Sequence, residues 1–251
     1  MRKIAMCLLI AATPSLRAEK PKPTYDPTEQ YEPRRLEGWK LLINKRLLAD
    51  EHRELRDRTL RVLGDQLFQI TRVVPAQPLA RLRKITIWVE LNDRHHPCMC
   101  YHPNAGWLRE HDMNPDKARC VELANARNFN SWTLQQPWMV LHELAHGYHH
   151  QVLDFENAEV QACFDAAVSA RLYNAVLNGR GRKVRHYALN NAKEYFAEMT
   201  EAYFGSNDFY PFVRAELKQV DPRMHDLLEK VWQVRKPEIR NPKSERTSKS
   251  K

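Results

Sequence analysis

Two histidines one helical turn apart, with a glutamate between them, constrain this chain more than any other feature. His142-Glu143-Leu144-Ala145-His146 follows the apolar run Trp138-Met139-Val140-Leu141 and precedes Gly147-Tyr148. Residues four apart stack on one face of an α-helix, so in a helical context both imidazoles reach one point in space. Two imidazoles and a neighbouring carboxylate at this spacing suit a zinc ion and a general base for its water. The motif therefore predicts a helix from Pro137, which fits a first helical turn, to about Leu153. Leu141, Leu144, Ala145, Tyr148 and Val152 mark its buried face.

A catalytic zinc takes three protein ligands and keeps one position open. A third histidine shortly after the pentad, preceded by glycine, is ruled out: position 149 is His149 rather than Gly, and position 152 is Val152 rather than His. His149 and His150 follow too closely on the same helix to complete the site, and both read as surface or groove-lining residues. The stronger candidate lies downstream, in Glu194-Tyr195-Phe196-Ala197-Glu198-Met199-Thr200-Glu201. Glu194, Glu198 and Glu201 fall at i, i+4 and i+7 on one helix face, with Phe196, Met199 and Tyr203 on the opposite side. Carboxylates so placed repel one another unless a cation or donors sit among them. Asn191 as a helix cap with Glu194 closing a capping box would explain the same residues as a solvated face. Beside the pentad, the ligand reading takes precedence.

The pairing of H-E-x-x-H with a later E-[FY]-F-A-E, and with Tyr187 seven residues ahead of Glu194, resembles the catalytic domains of the anthrax-lethal-factor type and the related Pro-Pro endopeptidases. These are gluzincins, zinc metallopeptidases whose third ligand is a glutamate. The resemblance covers residues 83–210. It implies a zincin-like fold and hydrolysis of peptide bonds in a peptide or protein substrate, with Zn2+ as cofactor. It assigns His142, His146 and Glu194 as metal ligands and Glu143 as general base. Tyr187 matches the tyrosine that stabilises the developing oxyanion, with His186 as the fallback donor. Glu198 matches a carboxylate beside the ligands that holds a ligand histidine in its metal-binding tautomer. Substrate would add as a strand to a sheet edge, for which residues 119–125 are the expected edge. The alternative is a non-catalytic zinc-binding or partner-binding domain that keeps the fold; the intact Glu143 favours the enzyme, because a binder has no use for that base.

The ends of the chain read differently from its body. Arg2 and Lys3, the apolar run from Ile4 to Ala12 and the break at Pro14 form a signal-peptide pattern, with cleavage expected after Ala18 and export to the periplasm or beyond. Residues 19–33 read as a loose leader, 34–234 as one domain and 235–251 as a basic disordered tail. The formal charge of +9 sits at those ends: residues 1–18 hold three basic and no acidic residues, and 235–251 hold seven basic and two acidic. The body holds 30 basic and 29 acidic residues, which argues against a nucleic-acid face. No later segment is long and apolar enough to be inserted stably in a membrane.

Apolar spacing predicts one long or two packed helices over Leu36–Gln69, a half-buried strand over Lys84–Leu91 and a second over Arg119–Ala124, with loop between. Helices are expected over Asn157–Asn178 with Gly179 as a left-handed cap, over Asn191–Phe204 ended by Gly205, and from Asp221-Pro222 to Val234. Early strands and late helices make the class α+β. Cys98, Cys100, Cys120 and Cys163 would remain after cleavage. In an oxidising compartment, one of the first two is expected to bridge to Cys120. The rival is a second metal site, since His95, His96, His102 and His111 lie nearby.

Overall fold

The residues expected to open a long helix form a β-hairpin instead. In the computed structural model, which describes residues 24–233, β1 (Tyr31–Leu36) and β2 (Trp39–Asn44) pair antiparallel across the two-residue turn Glu37-Gly38. Both turn residues have positive φ, 49° and 90°, the pattern of a tight turn whose twist matches the strands it joins. Trp39, Leu41 and Ile43 alternate into the core, whereas the spacing Leu36, Trp39, Leu42 mimics a helical stripe. The expected leader is also packed: Tyr31 is buried and donates to Glu90 Oε1 at 2.5 Å, and Asn44 Nδ2 donates to Asp26 Oδ2 at 2.8 Å. Helix begins only with α1 (Lys45–Leu48), capped by the Asn44 side chain, and α2 (Arg53–Val73), which buries Leu63, Leu67 and Ile70. A short α3 (Ala76–Leu82) follows Pro75. The signal-peptide and tail expectations fall on residues outside those described.

β3 (Ile87–Val89) is shorter than the strand expected there, and the expected loop after it contains β4 (Met99–His102) and α4 (Ala105–Glu110). With β5 (Cys120–Leu123) these strands form one mixed sheet of order β1-β2-β3-β5-β4. β5 pairs parallel with β3 on one side and antiparallel with β4 on the other, so residues 119–125 are not an edge; the edges are β1 and β4. Alternation divides the sheet chemically. Ile87, Val89, Val121, Leu123, Met99 and Tyr101 enter the hydrophobic core. Trp88, Glu122 and Cys100, which are register partners, lie on the other face. There Lys117 bonds Glu90 Oε1 at 2.8 Å and also pairs with Glu122, inside a buried polar layer.

The remainder is helical: α5 (Ala126–Trp132), α6 (Met139–Tyr148), α7 (Ala158–Ser169), the two-stranded ribbon β6 (Val176–Leu177) and β7 (Lys183–Val184), then α8 (Ala192–Phe204), α9 (Arg214–Val220) and α10 (Pro222–Val231). α6 packs on β4, β5, α2 and α8. Gly147 makes that approach possible: a Cβ there would stand 2.5 Å from Ile85 Cδ1 and 3.2 Å from Tyr101. After Tyr148 the backbone widens into a π turn over His149–Leu153, so Val152 turns to solvent rather than lying on the buried face. α7 ends nine residues before Asn178. Arg171, at φ 56°, occupies the left-handed position, and the N–H groups of Arg171 and Leu172 return to the carbonyls of Val168 and Ala167. This two-bond cap satisfies the helix end without Gly179. The described cysteines are free thiols, so the expected bridge to Cys120 is absent. Among the described residues no helix is long and apolar enough to cross a membrane. The domain is α+β with a small mixed sheet.

Candidate metal centre

α6 and α8 pack against each other and hold the three expected ligands at one point. His142 Nε2 and His146 Nε2 are 3.1 Å apart, and Glu194 Oε2 lies 3.2 Å from the first and 3.3 Å from the second. Around a tetrahedral zinc with bonds of about 2.0–2.1 Å, ligand atoms stand about 3.3–3.4 Å from one another. The donor triangle therefore fits that ion in both chemistry and size. Helical stacking supplies the two imidazoles from adjacent turns of α6. Glu194 sits in the first turn of α8, where Asn191 Oδ1 accepts from the N–H groups of Lys193 and Glu194 at 2.9 and 3.0 Å. The cap expected at Asn191 is present, but the Glu194 carboxylate turns to the histidines.

A second carboxylate fixes the histidine from behind. His142 Nδ1 lies 2.7 Å from Glu201 Oε1, and Glu198 Oε1 stands farther off at 3.6 Å. A proton on Nδ1 donated to Glu201 leaves Nε2 as the electron-pair donor. Glu198, expected in the orienting role, stands beside the same nitrogen through Oε1 and accepts from Asn207 Nδ2 at 2.8 Å through Oε2. The signal for Glu201 was available: it shares the i, i+4, i+7 face, and one further turn along α8 carries it level with His142.

The electrostatics reflect this crowding. Burial alone would lower the His142 imidazole, but hydrogen bonds to Glu194 and Glu201 outweigh it and raise the group well above its ordinary value. Glu194 moves the other way: burial opposes ionisation, and the two imidazoles hold it well below the usual carboxylate range. Burial, then the charge of Glu201, raises Glu198; burial also raises Glu201, partly offset by its bond to His142. Buried carboxylates surrounding two imidazoles make a site that favours a cation.

Glu143 is half-buried on α6, one residue from the first ligand. Burial pushes the Cys98 thiol up to about 12, and the charge of Glu143 adds to that rise. The same charge adds to the rise of Cys100 and of Tyr187, which opens the 3-10 turn before α8. Tyr187 is half-exposed on that 3-10 turn, and its hydroxyl is raised by burial and then by Glu194. His186 is fully buried, stacked on Phe209, and its Nδ1 accepts from Ala188 N–H; it offers no proton to the open side. His149 is also fully buried, between Phe155 and Phe196, because the helix widens after Tyr148; it is neither a surface nor a groove residue. His150 is half-buried, with Nδ1 2.8 Å from the Tyr101 hydroxyl. A cleft of about 670 Å³ is lined by Trp132, Gln136, Arg180, Asp208 and Phe209. The Asp208 carboxyl is raised by burial, and its charge adds to the rise of Glu198 and Glu201. Comparison with protein-family models, characterised proteins and solved structures finds no match to this chain.

Proposed function

We propose that this chain is a zinc-dependent peptidase of the gluzincin type, with a zincin-like arrangement of sheet and active-site helix, working outside the cytoplasm on peptide or protein substrates. The observation that carries the reading is the donor triangle of His142, His146 and Glu194, with edges of 3.1, 3.2 and 3.3 Å, next to the half-buried Glu143. Zinc bound there would supply an acidified water and polarise a substrate carbonyl.

The chain's own groups perform the remaining work. Glu201 holds His142 in the tautomer that leaves Nε2 free. Glu143 takes a proton from the attacking water and returns it to the departing amine. The Tyr187 hydroxyl donates to the oxyanion that forms at the scissile carbonyl. β4 is the sheet edge packed on α6, so an extended substrate adds alongside it. β4 replaces residues 119–125 in this role because β5 is already paired on both sides. The cleft beside Asp208 would take a side chain or the continuing chain of the substrate.

Cleavage of casein or of a peptide library by the purified protein, with and without a chelator, tests the reading. Chelator-sensitive cleavage is expected. Metal bound at the triangle with no cleavage of any library member would favour a non-catalytic domain.

A further inference from the structure

His96, Cys100 and His102 converge on the opposite face of the sheet. One ligand atom from each lies within 4.8 Å of those of the other two. Cys100 Sγ and His102 Nε2 are 3.4 Å apart, close to the sulfur–nitrogen edge of about 3.6 Å around a tetrahedral zinc. The His96 and His102 rings stand 5.3 Å apart. The other histidines of this region are engaged elsewhere: His95 Nδ1 lies 2.8 Å from Asp93, and His111 stacks on Trp107.

We propose that these three residues form a second metal site, distinct from the centre on α6 and α8, that takes Zn2+. Three features support it. His96 Nε2 is buried with no hydrogen-bond partner among the described residues, an arrangement that leaves a polar atom uncompensated unless something binds it. The neighbourhood is anionic, because Glu90 and Glu122 share the single ammonium of Lys117. The donor set of one thiolate and two imidazoles selects zinc over calcium or magnesium, which prefer oxygen.

The strands preset two ligands. Cys100 and His102 are two apart on β4 and so project to the same side. His96 lies on the loop between β3 and β4 and closes the site. On binding, the Cys100 thiol releases its proton to solvent and the thiolate takes the metal. His102 Nε2, now 2.6 Å from Glu122 Oε2, gives up that contact for the metal; the proton of that hydrogen bond passes to solvent, and Glu122 keeps Lys117. The ion would tie the loop to the sheet edge that packs on α6, holding β4 in place from the side away from the catalytic centre.

Cobalt separates the two sites, because only this one contains a thiolate. Full-length protein loaded with Co2+ should show sulfur-to-cobalt charge-transfer absorption in the near ultraviolet, and Zn2+-loaded protein should bind two ions per chain. Cys100→Ala, and separately His96→Ala at a half-buried loop position, should abolish or strongly weaken that absorption and lower bound zinc by one. His142→Ala/His146→Ala should remove the other ion and leave the absorption intact. No charge-transfer band in the wild type, or a band that survives Cys100→Ala, overturns the proposal. Either result leaves the peptidase reading untouched, since that depends on chelator-sensitive cleavage and on Glu143.

Discussion

Glu201 Oε1 sits 2.7 Å from His142 Nδ1, joining the third turn of α8 to the first turn of α6 across 59 residues of sequence. With zinc on Nε2, this contact would keep the remaining proton of His142 on Nδ1. Removing such a carboxylate behind a ligand histidine typically lowers metal affinity by about 10–100-fold. Glu201→Ala should show that loss in a chelator competition run in a Cys100→Ala background. Glu198→Ala should show less, because its carboxylate is engaged by Asn207. Equal losses would mean that the two carboxylates share the orienting role.

Glu194→Ala removes one corner of the donor triangle. Bound zinc should fall by one ion per chain relative to the wild type, with the cobalt–thiolate signal unchanged. Retention of the full zinc complement would show that another group is the third ligand.

Two buried histidines make the fold sensitive to acid. Burial holds His186 down to about 3; burial, then repulsion from His146, brings His149 down to about 4. Both groups stay neutral in the folded chain, whereas an unfolded histidine takes a proton below about 6.5. Their contribution is therefore intact above that pH and is lost as pH falls toward 4 and 3. For His186 alone the loss reaches about 2 kcal/mol by pH 5. His186→Asn keeps an acceptor for the Ala188 N–H and removes the titrating ring. Urea unfolding at pH 7.5 and pH 5 should show a smaller acid loss in this variant, whatever its absolute stability. An unchanged pH dependence would mean that His186 is protonated in the folded state.

Gly205 closes α8 directly against Trp138, the residue that opens α6. A Cβ at this position would stand 1.8 Å from the indole. Overpacking of this kind typically costs about 1–3 kcal/mol. Gly205→Ala should lower the melting temperature by several degrees and weaken zinc binding as Trp138 shifts the start of the ligand helix. A melting temperature equal to the wild type would show that the indole moves freely aside.

The candidate metal centre was more legible than the scaffold that builds it. A pentad and a three-glutamate face report helical geometry directly, because four-residue spacing has one meaning on a helix. Glu201 was visible on that face, but distances alone could rank it ahead of Glu198. The hairpin was missed because Leu36, Trp39 and Leu42 are spaced three apart while Trp39, Leu41 and Ile43 are spaced two apart, and a short apolar stretch satisfies both periods. The Glu37-Gly38 turn was the discriminating signal. β4 was hidden among Pro, Asn, Asp and His residues, since only Met99 and Tyr101 face the core. The π turn that buries His149 has no sequence period of its own. The early end of α7 depends on Arg171 accepting a left-handed conformation that composition assigns to glycine.

In the peptidase we propose, Glu143 serves as the base. Comparing Glu143→Gln with the wild type, for zinc content and for cleavage of a peptide that the wild type cuts, tests that role. The variant should bind the same amount of zinc while cleavage falls by at least about 100-fold, the lower end of what a positioned general base contributes. Cleavage at the wild-type rate by zinc-loaded Glu143→Gln protein would show that Glu143 is not the base.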